Sequence, residues 1–134
     1  MIWDAAADVV AAQQYLRSHP GIDAARIAIM GGSYSGEEMA EAGPLVGYAD
    51  TYVTLSPGSF GDASIAGIDE SGVPWLCVVT NEEHFLTEIT AAGQSQSRTV
   101  EWLIVPGTEH ATGILDVRED MAARIAVWIS HQLR

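Results

Sequence analysis

Lysine is absent from this chain of 134 residues, and six arginines stand against 18 Asp and Glu, for a formal net charge of -12. Nucleic acids and anionic membranes both demand a basic surface, so neither is expected as a partner. Cysteine is nearly absent too. The lone Cys77 cannot close an internal disulfide, and its place in Trp75-Leu76-Cys77-Val78-Val79 reads as a small buried hydrophobe rather than a reactive thiol. No run approaches the ~18 apolar residues of a membrane span. The first segment carries Asp4 and Asp8 with no basic residue before Arg17, which is not the pattern of a signal peptide. A cytoplasmic protein is expected. Internal repeats, low-complexity tracts and an interdomain linker are also missing.

What is present is globular: 48% hydrophobic residues against 18% charged. The length suits one domain over residues 1–134, too short for separate cofactor and substrate domains. No cofactor is expected. Ile2, Ala5, Val9, Ala12 and Leu16 recur at steps of three and four, which predicts an amphipathic helix ending near His19-Pro20-Gly21. Four compact apolar runs follow: Arg26 to Met30, Thr51 to Leu55, Val73 to Thr80 and Val100 to Val105. They lack the strict alternation of a strand with one wet face. Helix-compatible segments lie around them at Tyr34 to Ala42, Asp62 to Glu70, Phe85 to Ser95 and Val117 to Leu133. Strands of this kind alternating with helices predict an α/β fold of three layers, a mainly four-stranded parallel sheet with helices on both faces.

Ligands of open parallel sheets bind beyond the carboxyl ends of the strands. Those ends read Gly31-Gly32-Ser33-Tyr34-Ser35-Gly36, Ser56-Pro57-Gly58-Ser59, Asn81-Glu82-Glu83-His84 and Pro106-Gly107-Thr108-Glu109-His110. A nucleophile, acids and histidines thus gather on one edge. The first reads as strand, very tight turn, helix, with small residues around Ser33 where strand and helix nearly touch. A phosphate loop of the G-x-x-x-x-G-K-[ST] type is excluded by the missing lysine, and Gly31 with Gly36 does not make G-x-G-x-x-G. Glu82, Glu83, His84, Glu109 and His110 form a dense set of oxygen and nitrogen donors. Adjacent loop residues seldom converge on one ion, and no H-E-x-x-H spacing is present, so no metal is expected.

The segment around Ser33 resembles the nucleophile elbow of the α/β-hydrolase family, G-x-S-x-G. Gly31 supplies the first glycine, and Ser35 stands where the second is found. The family order is Ser, then Asp or Glu, then His. His110, after the last apolar run, looks like the family's histidine. His19 lies at a helix end before a strand, and His131 lies near the C-terminus of the last helix, where a cation suits the dipole. The resemblance places the acid in the loop after the preceding strand, where its usual position favours Glu83 over Glu82. Elbow, carboxylate and histidine follow the first, third and fourth apolar runs in the family's order.

The complete family sheet has roughly eight strands with the elbow after the fifth. The resemblance covers nearly all of this chain, yet only the C-terminal half of the family domain. It implies Ser33 as nucleophile, His110 as base, Glu83 as orienting acid and the Tyr34 backbone N–H as one oxyanion donor. The second donor comes from a loop after the family's third strand, which this sequence does not contain. Loss of one donor costs ~100- to 1000-fold in rate; the Ser56-Pro57-Gly58-Ser59 loop or a second subunit are the candidate substitutes. The strand before the elbow, central in the full fold, becomes an edge here, and open edges promote association. A homo-oligomer, most simply a two-fold dimer, is expected. The implied activity is hydrolysis of small carboxylic esters, since the span from Ser33 to Glu83 leaves no space for a cap. Dienelactone hydrolases and peptidases share the layout. The competing expectation is a non-catalytic remnant of a hydrolase that serves as a binding module.

Overall fold

The computed structural model describes residues 5–46, 49–58, 62–83 and 97–134. The chain runs α1 (Ala5–Ser18), β1 (Ala28–Gly32), α2 (Tyr34–Val46), β2 (Thr51–Leu55), α3 (Asp62–Ser71), β3 (Trp75–Thr80), β4 (Val100–Val105), α4 (Gly113–Val117) and α5 (Met121–Gln132). The four strands form one sheet in sequential order, every neighbouring pair parallel. Right-handed crossovers between such strands return over one face each time. One core layer accordingly holds Met39 and Ala40 of α2, Ile65 and Ile68 of α3, and Tyr52, Trp75, Cys77 and Val79 from the sheet. Val9, Val10 and Leu16 of α1 close it; Ala12, part of the expected stripe, faces solvent, and Ile2 lies outside the described residues.

The opposite face buries Val53, Leu55, Leu76 and Val78 against Ile114 of α4 and Met121 and Ile125 of α5. The three layers therefore match the α/β architecture expected. β2 and β3 are buried throughout, which explains why both read as continuous apolar runs. Tyr52 and Trp75 stack with centroids 4.5 Å apart. Cys77 is fully buried, and burial pushes its thiol up to about 12, so the reactive thiolate is suppressed. Among the described residues no helix is long and apolar enough to cross a membrane.

Several boundaries differ from the expectation for visible reasons. β1 starts at Ala28 rather than Arg26, because the Ile27 N–H donates to the Asp50 carboxylate at 2.8 Å and the Arg26 guanidinium turns back to Asp23 at 2.7 Å. β3 starts at Trp75 rather than Val73, because Pro74 has no N–H for the ladder. The Pro74 carbonyl still accepts from the Tyr52 N–H and the Thr51 hydroxyl, each at 3.0 Å. α2 runs on to Val46, past the Ala42 expected as its end, with Pro44 in its last turn. The helix expected over Val117 to Leu133 starts only at Met121, and Val117 instead ends the short helix α4. Arg118 is extended (φ -123°, ψ 94°) and its guanidinium bonds the Pro106 carbonyl. The helix expected over Phe85 to Ser95 lies outside the described residues.

Asp69, near the end of α3, ties down the chain entering β4. Its carboxylate accepts from Ser97 Oγ at 2.7 Å and from the N–H groups of Arg98 at 3.1 Å and Thr99 at 3.0 Å. Burial pulls its pKa upward, but the bonds from Ser97, Arg98 and Thr99 outweigh it and hold the group below the ordinary carboxylate value. A depressed folded pKa contributes stability above the unfolded pKa of ~3.9, and that stability is lost as pH falls through the folded value. Asp69→Ala should therefore cost about 0.5–1.5 kcal/mol near neutral pH, the net worth of hydrogen bonds that solvent partly screens and can replace. Urea unfolding should show the gap between wild type and Asp69→Ala narrowing below about pH 4; a gap independent of pH would refute the ionic role.

Candidate active site

β1 ends in Gly31 and Gly32, paired with Thr54 and Leu55 of β2. Ser33 follows with φ 52°, the left-handed region that costs a non-glycine residue energy. Its N–H donates to the Leu55 carbonyl at 2.9 Å, and its own carbonyl accepts from Gly36 N–H at 2.9 Å and Glu37 N–H at 3.3 Å. The turn from strand to helix is thereby completed within one residue. A Cβ on Gly31 would run into Met39 Sδ and lie 3.1 Å from the Ser35 backbone, while one on Gly36 would lie 3.3 Å from Pro57 Cβ. The close approaches therefore fall at Gly31 and Gly36. Ser35, at the position of the elbow's second glycine, is exposed, and its hydroxymethyl group meets no such wall.

Tyr34 is the first residue of α2, so its N–H belongs to the helix-start donors that the helix itself leaves unused. Its side chain is about half exposed. A hydrogen bond with Glu38, then burial, then the charges of Glu38, Glu37 and Glu41 raise the phenol above its ordinary value, so it stays neutral.

Beyond β3 the two candidate acids separate. Glu82 is exposed, with its N–H on the Gly107 carbonyl at 3.0 Å. The Glu83 side chain is 8% exposed, and its Oε1 lies 2.5 Å from His110 Nδ1. Its Oε2 accepts from Ser56 Oγ at 2.9 Å and is 3.2 Å from Thr80 Oγ1. The His110 loop is held by a local bond from Gly113 N–H to the His110 carbonyl at 3.0 Å and by a long-range one from Thr80 Oγ1, at the end of β3, to the Glu109 carbonyl at 3.0 Å. A carboxylate on Nδ1 keeps the proton there and leaves the basic lone pair on Nε2.

The structure thus brings Glu83 and His110 together, and it sets their loop against the elbow: a Cβ on Gly32 would lie 3.1 Å from Ala111 Cβ. Ser33 and His110 flank that contact. Ser33 Oγ makes no hydrogen bond among the described residues. Catalytic hydrogen bonds are often long before substrate binds.

Two of the four residues of the Ser56-Pro57-Gly58-Ser59 loop have no backbone N–H to offer as the second oxyanion donor. The Ser56 N–H is spent on the Val78 carbonyl at 2.8 Å, and Pro57 has none to give. Gly58 lies under the Glu37 carboxylate, and Ser59 and His84 lie outside the described residues. Ser56 and Thr80, which hold Glu83, are the site residues that sequence reasoning missed in this role. Their signal was position alone, each at the carboxyl end of a strand. Among the described residues no group of three or more His, Cys, Asp or Glu is gathered to hold a metal ion.

No protein-family model matches the sequence, and no curated protein matches it. Solved structures do share its fold. A dienelactone hydrolase from Anabaena variabilis superposes with a TM-score of 0.69 at 16% identity, over 95% of this chain and 57% of that one. A predicted CIB-like hydrolase from Thermoplasma acidophilum gives 0.63 at 18% identity, over 90% and 58%. A dienelactone-hydrolase-like promiscuous phosphotriesterase from metagenomic libraries gives 0.57 at 14% identity, over 95% and 58%. The chain has the fold of part of an α/β-hydrolase domain and spans less than two thirds of these structures' length.

Proposed function

We propose that the chain is a serine hydrolase of small carboxylic esters. The observation that carries this reading is the 2.5 Å contact of Glu83 with His110 beside an elbow holding Ser33 at φ 52°. Ser33 Oγ attacks the ester carbonyl while His110 Nε2 takes the hydroxyl proton. Glu83, held by Ser56, stabilises the imidazolium, and the Tyr34 N–H stabilises the oxyanion. The imidazolium proton passes to the leaving alkoxide as the C–O bond breaks. Water, deprotonated by His110, then cleaves the acyl-enzyme and releases the acid with Ser33 restored. The test is labelling by a fluorophosphonate probe, which reacts with activated serines: wild type should label at Ser33.

One observation favours the second reading, a non-catalytic binding remnant. Tyr34 supplies one oxyanion N–H, and the Ser56 loop adds none from Ser56 or Pro57. A folded wild type that takes no label would favour the remnant.

We also propose a homodimer formed at the open edge of β1. Met30 is 50% exposed there, and an apolar groove of about 190 Å³ lies between Met30 and Leu115, Ala122, Ile125, Ala126 and Ile129. A strand edge beside an apolar groove invites a second copy. Two chains of net charge -12 repel each other, and salt screens that repulsion. Sedimentation should therefore show a dimer that tightens between ~0.05 and ~0.5 M NaCl. A monomer at micromolar concentration in both buffers would end the dimer proposal.

A further inference from the structure

We propose that Ser56 is a positioning residue, fixing the Glu83 carboxylate so that Oε1 faces His110; this rests on the Ser33-His110-Glu83 triad. Ser56 directly follows β2 and is fully buried. Its hydroxyl donates to Glu83 Oε2 at 2.9 Å, while Oε1 lies 2.5 Å from His110. Thr80 is a poorer holder. It lies 3.2 Å from the same oxygen, and its single proton also faces the Glu109 carbonyl at 3.0 Å. The side chain of Glu83 has one more rotatable bond than an aspartate, so a carboxylate reaching His110 at one useful angle needs a second anchor. Ser56 supplies it from a neighbouring strand.

The backbone supports this assignment. Ser56 sits at φ 46°, in the left-handed region, which is strained for a non-glycine residue. Glycine would adopt that conformation without strain. What glycine lacks is the hydroxyl, and the hydroxyl's partner is the carboxylate that orients the base. Strain held at a site of this kind points to a role for the side chain rather than for the chain path.

The substitutions Ser56→Gly and Ser56→Ala test the role. Glycine is compatible with the local backbone and alanine keeps the original strain, so a fold defect in one does not remove the other. Both should lower kcat for a small ester by about 10- to 100-fold, the scale of a misaligned catalytic group, with KM within about twofold. The fluorophosphonate labelling rate should fall in parallel. In a Glu83→Ala background, Ser56→Gly should change the labelling rate by less than about twofold, because a residue acting through Glu83 has nothing left to position. An unchanged kcat in both single variants overturns the inference while leaving the triad standing. A loss as large in the Glu83→Ala background as in wild type also overturns it, since a structural role would persist there. A wild type without Ser33-dependent labelling overturns both readings together.

Discussion

Ser33→Ala should abolish fluorophosphonate labelling and lower ester turnover at least about 10³-fold. Loss of a serine nucleophile costs ~10⁶ in kcat where the oxyanion hole is complete. A site with only the Tyr34 donor would forfeit ~10²- to 10³-fold of that acceleration, which sets the lower bound of the expected fall. The fold should be untouched. The Ser33 N–H still donates to the Leu55 carbonyl and its carbonyl still starts α2, and alanine at φ 52° is strained no differently from serine. Turnover and labelling that survive at a few tenths of wild type would show that the hydrolysis belongs to another group.

The sheet was legible because its two central strands are buried on both faces, and such strands leave an unbroken apolar run. Thr51 to Leu55 matched to the residue. The starts of β1 and β3 were less legible. Ile27 extends the apolar run, but its N–H is taken by Asp50, 23 residues away, and no local pattern reports a bond of that span. The break between α4 and α5 has a similar cause. Val117 and Met121 read as successive apolar positions of one helix, yet the Arg118 guanidinium reaches back to the end of β4.

The site divides in the same way. Ser33, the Glu82-Glu83 pair and His110 stand at strand ends, where ligands bind in this architecture, and type, place and the family resemblance single them out as candidates. Ser56 stood at a strand end too, but its role depends on which way a buried hydroxyl points. Its backbone N–H was spent on β3 and its side chain was aimed at Glu83. Those are tertiary facts, and a serine between an apolar strand and a proline is compatible with either use.

The two acids of the Asn81-Glu82-Glu83 turn should part sharply under the same substitution. Glu83→Gln is expected to lower kcat by about 10³- to 10⁴-fold, as when the orienting carboxylate of a triad becomes an amide, and Glu82→Gln should stay within about twofold. Ser56 decides which way the new amide turns. The Ser56 hydroxyl proton claims an oxygen, so in the Glu83→Gln variant the amide oxygen takes the Ser56 bond now made by Oε2, and the NH₂ turns toward His110 Nδ1. An NH₂ there donates, so Nδ1 must accept and the ring proton moves to Nε2, where the lone pair for Ser33 has to be. Glu82 is exposed, and an amide in its place meets solvent. Steady-state kinetics on both variants, with circular dichroism to confirm folding, separates the two. A large loss in Glu82→Gln with Glu83→Gln near wild type would reassign the acid, and would leave the 2.5 Å contact between Glu83 and His110 as an ion pair of the loop with no part in the chemistry.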